Sequence, residues 1–176
     1  SLESEWRFYP RAVFFDLVLR VEWREQHRLL QLVYSPGSTI RIRKDGISGG
    51  VLQRPCDGRE RPLRDFTHLT LDNGKRMGIA CPDVFSISAT SAHASLTLLR
   101  SCLMAHHDPA PPVKLRARFS DQGWHELRFR IFRESPSLNT STVESAALAL
   151  ESPILRGDLT VGMPLRPLRE CIAGRV

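Results

Sequence analysis

The sequence predicts an all-β protein, a large antiparallel sandwich with one short helix near its C-terminus. Three observations carry this. From Ala12 to Trp23 the odd positions Val13, Phe15, Leu17, Leu19, Val21 and Trp23 are all apolar, while the even ones drift from Phe14 through Asp16 and Arg20 to Glu22. That period-2 alternation marks a long strand with one dry face, spanning roughly 40 Å at about 3.3 Å per residue. The rest of the chain breaks into short alternating runs separated by Gly, Pro, Asn and Asp turn signals, which is hairpin order. Convincing helical spacing occurs over Val143–Leu150 alone. Long, numerous strands fit a sandwich better than a small barrel.

The elements follow in order. Residues 1–10 are polar with Trp6, Phe8 and Tyr9, a partial strand leading into the long one. The run 25–28 is a polar turn, and an apolar strand resumes at Leu29–Tyr34, so residues 12–33 read as one long hairpin, the spine of the fold. Ser35-Pro36-Gly37-Ser38 is a turn. Thr39–Arg43 is a short strand, Lys44-Asp45-Gly46 a turn, and Gly46–Gln53 a Gly-rich strand ending at Arg54-Pro55. Cys56–Arg64 reads as a charged loop. Asp65–Leu71 and Arg76–Cys81 flank Asp72-Asn73-Gly74, whose Asn-Gly pair tolerates the positive φ of a tight hairpin. Val84–Ala89 and Ala94–Arg100 form another hairpin around residues 90–93. Ser101–Gln122 is a long loop, a length associated with function or mobility. Trp124–Phe132 is a strand with His125, Leu127, Phe129 and Ile131 on one side. Ser141 and Glu144 have capping-box spacing ahead of the helix, which Pro153 stops. Leu159–Val161 reads as a last strand and 161–176 as a frayed tail.

At 176 residues one domain is expected, with enough chain for a sizeable core. The net charge of +6 is compatible with an anionic partner, but the arginines are scattered among acids, the pattern of a solvated surface. Nucleic acid is therefore not an expected partner. No apolar run approaches the about 20 residues that cross a bilayer, so neither is a membrane. Cys56, Cys81, Cys102 and Cys171 lack the spacing of a zinc ribbon or redox motif and read as reduced thiols. The expected setting is cytoplasmic. The chain has no initiator Met and begins as if on the flank of a strand, which suggests an excised piece of a longer protein. An apolar patch on one face is then expected.

The residues that could carry chemistry are few. His106-His107-Asp108 resembles metal ligands but lacks a third ligand at a suitable spacing. Ser91 and His93 lack a nucleophile elbow. Gly46-Ile47-Ser48-Gly49-Gly50 lacks the Lys and Ser/Thr of a phosphate loop and reads as a bend. Asp57, Asp65, Asp108 and Asp121 fall in loops without an evident pairing of the kind glycoside hydrolysis uses. Trp23 belongs to the core. Trp6 and Trp124 are candidates for stacking against a sugar.

Several segments in succession resemble one family. Val21–Leu30 is similar to the long hairpin in the C-terminal region of glycoside hydrolase family 38, the α-mannosidases. Gly50-Val51-Leu52-Gln53-Arg54-Pro55 resembles that family's Gly-Val-Ile-Glu-Arg-Pro element, and Gly78-Ile79-Ala80 its Gly-Val-Ala-Leu strand. Leu96–Ser101, Asp108-Pro109, Asp121–Glu126 and Ala146–Leu155 resemble further elements in the same order, over residues 12–155. The chain departs from the pattern at Gln53, where the family has Glu, through 61–70, and at Ile131-Phe132-Arg133.

The resemblance implies a β-supersandwich of the galactose-mutarotase-like kind. It implies a parent enzyme that is a retaining α-mannosidase whose zinc ligands and nucleophile lie in a catalytic domain absent here, followed by a helical bundle. This chain would be the non-catalytic C-terminal β-domain, with the catalytic and helical domains and α-mannoside glycans as its partners. A free-standing carbohydrate-binding module is the alternative. No catalytic residue and no metal ligand is expected within it. Arg54, Trp124 and Asp108 are the expected carbohydrate or domain contacts. For Arg54, a guanidinium able to donate several bonds to sugar hydroxyls, bonding to loop carbonyls is an equal alternative.

Overall fold

A computed structural model describes residues 1–104, 112 and 118–151. They form eleven strands and one helix in two antiparallel sheets. The wide sheet runs β1 (Leu2–Phe8), β2 (Phe14–Trp23), β11 (Gly123–Ser135), β8 (Arg76–Ala80), β7 (Phe66–Leu71), β4 (Ile40–Ile47), β5 (Gly50–Arg54). The narrow sheet runs β3 (Leu29–Tyr34), β10 (Ala94–Arg100), β9 (Ser86–Ala89), β6 (Arg61–Pro62). The protein is an all-β sandwich, as its alternation predicts.

The core lies between the sheets. Leu17, Leu19, Val21 and Trp23 of β2 meet Leu127, Phe129 and Ile131 of β11, and Leu96 and Leu98 of β10 close the layer from the other side. The indole of Trp23 keeps its N–H satisfied by donating to Ser101 Oγ at 2.6 Å. A second, smaller core sits on the outer face of the wide sheet, where α1 (Thr140–Glu151) lays Val143, Ala146 and Ala147 over Phe66, Ala80 and Phe132.

Several sequence expectations are corrected. The spine is not a hairpin: β2 pairs with β1 and β11, while β3 pairs with β10 in the other sheet. The chain crosses between layers at His27, whose φ is +53°, and Ser101 bonds both His27 and Arg28 through the backbone. Crossing lets Leu30, Leu32 and Tyr34 pack back onto the apolar face of β2, which two strands of one sheet could not do. Strand β2 also begins at Phe14, leaving Val13 exposed.

The turn expected at Lys44-Asp45-Gly46 lies instead at Ser48-Gly49, with Gly49 at φ +82°. Strand β4 continues because Asp45 is neutralised inside the sandwich. Gly46 is needed for space: a Cβ there would lie 2.2 Å from the Arg64 carbonyl oxygen. The charged loop 56–64 contains the short strand β6, which pairs with β9. The cap of α1 is Asn139, whose Oδ1 accepts from the Thr142 amide at 2.8 Å, and not Ser141. The base of the 101–122 loop is paired, with Leu103 bridging Phe119. The readings at His106, His107, Asp108, Pro153, Leu159–Val161, 161–176 and Cys171 fall outside the described residues.

No helix among the described residues is long and apolar enough to cross a membrane.

Candidate functional site

The two sheets exchange strands at one end of the sandwich. There the chain passes from β6 to β7 through Leu63-Arg64-Asp65, and from β8 to β9 through Cys81–Phe85. Buried Leu63 and Val84 pin these crossings to the core. Two backbone bonds lock them: Leu63 N to Phe85 O at 2.8 Å and Arg64 N to Gly46 O at 2.9 Å. Between them and the β4–β5 turn lies an open groove of about 480 Å³, lined by Ser48, Pro62, Arg64, Asp65, Pro82 and Phe85, with Glu151 at its rim.

The groove has an aromatic wall and polar groups facing it. Phe85 is 73% exposed, and its carbonyl accepts from the Leu63 amide at 2.8 Å. Asp65 has φ +68°, a left-handed conformation that is uncommon outside glycine and clusters at functional positions. Its carbonyl accepts from the Cys81 amide at 2.7 Å. Its carboxylate receives Arg64 Nε at 3.1 Å, and Arg64 also reaches Ser48 Oγ at 3.4 Å. An exposed ring beside a carboxylate and a guanidinium offers stacking, acceptors and donors to one polyhydroxylated ligand.

Arg54 stands behind this groove. Its guanidinium donates to the carbonyl of Pro62 in β6 at 2.9 Å, which braces the groove wall. It lies on the inner face of the wide sheet, opposite Arg43 in register. Arg43 and Asp45 are both fully buried, with Nε and Oδ2 3.0 Å apart, and Arg54 Nε is 3.8 Å from the same oxygen. Thr67 donates to the other Asp45 oxygen at 2.9 Å. Burial pulls Arg43 below its ordinary value and Asp45 opposes it. Burial raises the Asp45 carboxyl, against the pull of Arg43 and Thr67. With neither side chain open to solvent there is no room for a solute, so this cluster supports the groove from inside.

Trp124 is 61% exposed but lies elsewhere. It pairs with Glu22 on the outer face of the wide sheet, whereas Arg54 is on the inner face and four strands away in the sheet order. Trp6 pairs with Leu17 and so projects from the inner face. The two candidate tryptophans therefore share no surface. The loop carboxylates are separately engaged: Asp57 holds Arg61 in two bonds at 2.6 and 2.8 Å, and Asp121 accepts from the Arg100 amide at 2.7 Å. Among the described residues no group of three or more His, Cys, Asp or Glu is placed to hold a metal ion.

Sequence reasoning misses Arg64 and Phe85 among the groove residues, Phe85 for a definite reason. Strand parity over 84–89 puts Phe85 on the side of Ile87 and Ala89, both buried. In the fold β9 starts only at Ser86. The bend before it turns Val84 into the core and Phe85 out. The one available signal is Pro82-Asp83, which announces a turn two residues earlier.

No protein-family model matches the chain, and no curated protein matches it.

Proposed function

We propose that this chain is a non-catalytic β-domain of an α-mannoside-processing enzyme, contacting glycan through the groove at Phe85. The observation that carries the reading is Phe85, 73% exposed, beside Arg64 and Asp65 in a groove of about 480 Å³, a volume within the usual range for small-molecule sites. A pyranose could stack on the ring and hydrogen-bond to the carboxylate and guanidinium. The ordered resemblance to the C-terminal region of family 38 supplies the substrate class, α-mannosides, and the expected neighbours, a zinc-bearing catalytic domain and a helical bundle. Arg54 contributes by holding the Pro62 wall. A free-standing carbohydrate-binding module draws less support, since Trp6 and Trp124 face opposite ways and form no common stacking platform.

The test is a titration of the ¹⁵N-labelled chain with methyl α-mannoside and an α-linked mannobiose. Saturable shifts at Ser48, Arg64, Asp65 and Phe85 are expected, with weak affinity. Shifts confined to other surfaces, or none at saturating sugar, would remove the groove from the reading. The size of the native polypeptide in cells, read by immunoblot, separates the two hosts. A band several times larger than 19.9 kDa fits a domain of an enzyme, and one near that mass the free-standing module.

A further inference from the structure

Strand β1 is the first strand of the wide sheet, and its outer edge has no strand partner among the described residues. It pairs with β2 through seven consecutive residues without a bulge, from Leu2↔Val21 to Phe8↔Phe15. Which backbone groups face the open edge follows from one end of this ladder. Ser1 and Glu22 exchange both backbone bonds, at 3.1 and 3.2 Å. In an antiparallel pair such residues alternate. Glu3, Glu5 and Arg7 therefore spend their backbone groups on β2, and Leu2, Ser4, Trp6 and Phe8 aim theirs outward.

The same four residues carry their side chains on the inner face, beyond the cover of the narrower sheet. Leu2 is 54%, Trp6 50% and Phe8 72% exposed. Trp6 and Phe8 both pack on Phe15, with centroids 5.7 and 5.5 Å away. Natural sheets protect a free edge with charged side chains, proline, a bulge or a very short strand. The charges of Leu2–Phe8, Glu3, Glu5 and Arg7, all lie on its outer face, and the strand has no lysine, proline or bulge.

We infer that β1 is a pairing edge for β1 of a second copy of this chain, antiparallel about a two-fold axis at Glu5, joining two wide sheets into one. The sequence of the strand is self-complementary in that register. Leu2 meets Phe8 of the other copy and Ser4 meets Trp6, so every open N–H and C=O finds a partner. On the other face Glu3 meets Arg7. Glu5 meets its own copy, but each Glu5 already binds Arg7 at 2.7 Å and Arg20 at 3.1 Å. The outer face of the join thus carries Glu3, Glu5 and Arg7 of each copy, with Arg20 of β2 beside Glu5 and also bound to Glu126 at 3.0 Å. A parallel pairing of the same two edges would turn one sheet over, setting Leu2, Trp6 and Phe8 of one copy on the face of Glu3, Glu5 and Arg7 of the other. An isologous two-fold contact of this kind is the commonest route to a homodimer.

The test is the mass of the intact chain by light scattering at high micromolar concentration. A dimer of twice 19.9 kDa is expected. Ser4→Pro removes an N–H that points outward and leaves the β1–β2 ladder intact, so it should yield monomer with unchanged circular dichroism. Glu3→Arg or Arg7→Glu alone should weaken the dimer at least tenfold, and the double variant should restore it. Monomer at every concentration would overturn the inference. So would a dimer that ignores Ser4→Pro and both charge changes, since it would use another surface.

Discussion

Arg43 and Asp45 form an ion pair with no solvent exposure on either side chain, Nε to Oδ2 at 3.0 Å, between the two sheets of the sandwich. The terminal guanidinium nitrogens of Arg43 have no hydrogen-bond partner among the described residues. Such a pair is held by mutual need: removing one charge strands the other, whereas replacing both is often tolerated. Asp45→Asn should lower stability by about 3–5 kcal/mol. Arg43→Met combined with Asp45→Asn should recover most of that loss. Denaturant titrations of the two variants check this, and equal losses would mean the pair is not coupled.

Glu60 is the hub of the narrow sheet's outer face. It accepts from Thr97 Oγ1 at 2.6 Å, Ser86 Oγ at 2.7 Å and Arg100 at 2.6 Å. These bonds hold its carboxyl down at about 2, from an ordinary 4.5. A lowered folded value means that the unfolded chain binds the proton first. The stabilisation is therefore complete above pH 4.5 and lost as pH falls toward 2. With the side chain 35% exposed, its worth is about 1–2 kcal/mol after screening. Glu60→Gln should lower stability at pH 7 by that amount and flatten the acid limb between pH 4.5 and 2 in a melting series.

Helix α1 rests on a glycine. A Cβ at Gly78 would come within 2.3 Å of a Val143 methyl, so the helix approaches the sheet as closely as backbone allows. Gly78→Ala should cost about 1–3 kcal/mol through overpacking. Adding Val143→Ala removes the two methyls and should make the pair less destabilising than the sum of the single changes. Additive losses in thermal melts would show that the helix shifts to make room.

The groove separates ligand contact from support. Phe85→Ala truncates an exposed ring and should leave stability within about 0.5 kcal/mol, while weakening methyl α-mannoside binding at least tenfold. Arg54→Ala acts behind the wall: it frees Pro62 and removes a charge beside Asp45. It should lower stability by about 1–3 kcal/mol as well as weaken binding. If Phe85→Ala binds as the parent chain does, the ring is not the platform.

By itself the sequence determined the fold class and most strands. Alternation in Leu17–Trp23 and Leu127–Ile131 selects a buried face, because side-chain direction in a strand is fixed by parity. Asn73-Gly74 likewise fixes its hairpin locally, with Gly74 at φ +77°. Tertiary structure alone decided which strands pair. Residues 12–33 carry the same pattern whether they fold back in one sheet or cross to another, and only the contacts of Leu30 and Leu32 with the opposite layer distinguish these. It decided that Asp45 is inside, since a charge reads as a turn until Arg43 and Thr67 are seen to receive it. It decided that Phe85 faces solvent, because a bend before β9 reverses the parity that local sequence implies. It also separated Arg54 from Trp124. Both residues are legible as candidates, but which face and which strand each one occupies depends on sheet order, which local sequence does not encode.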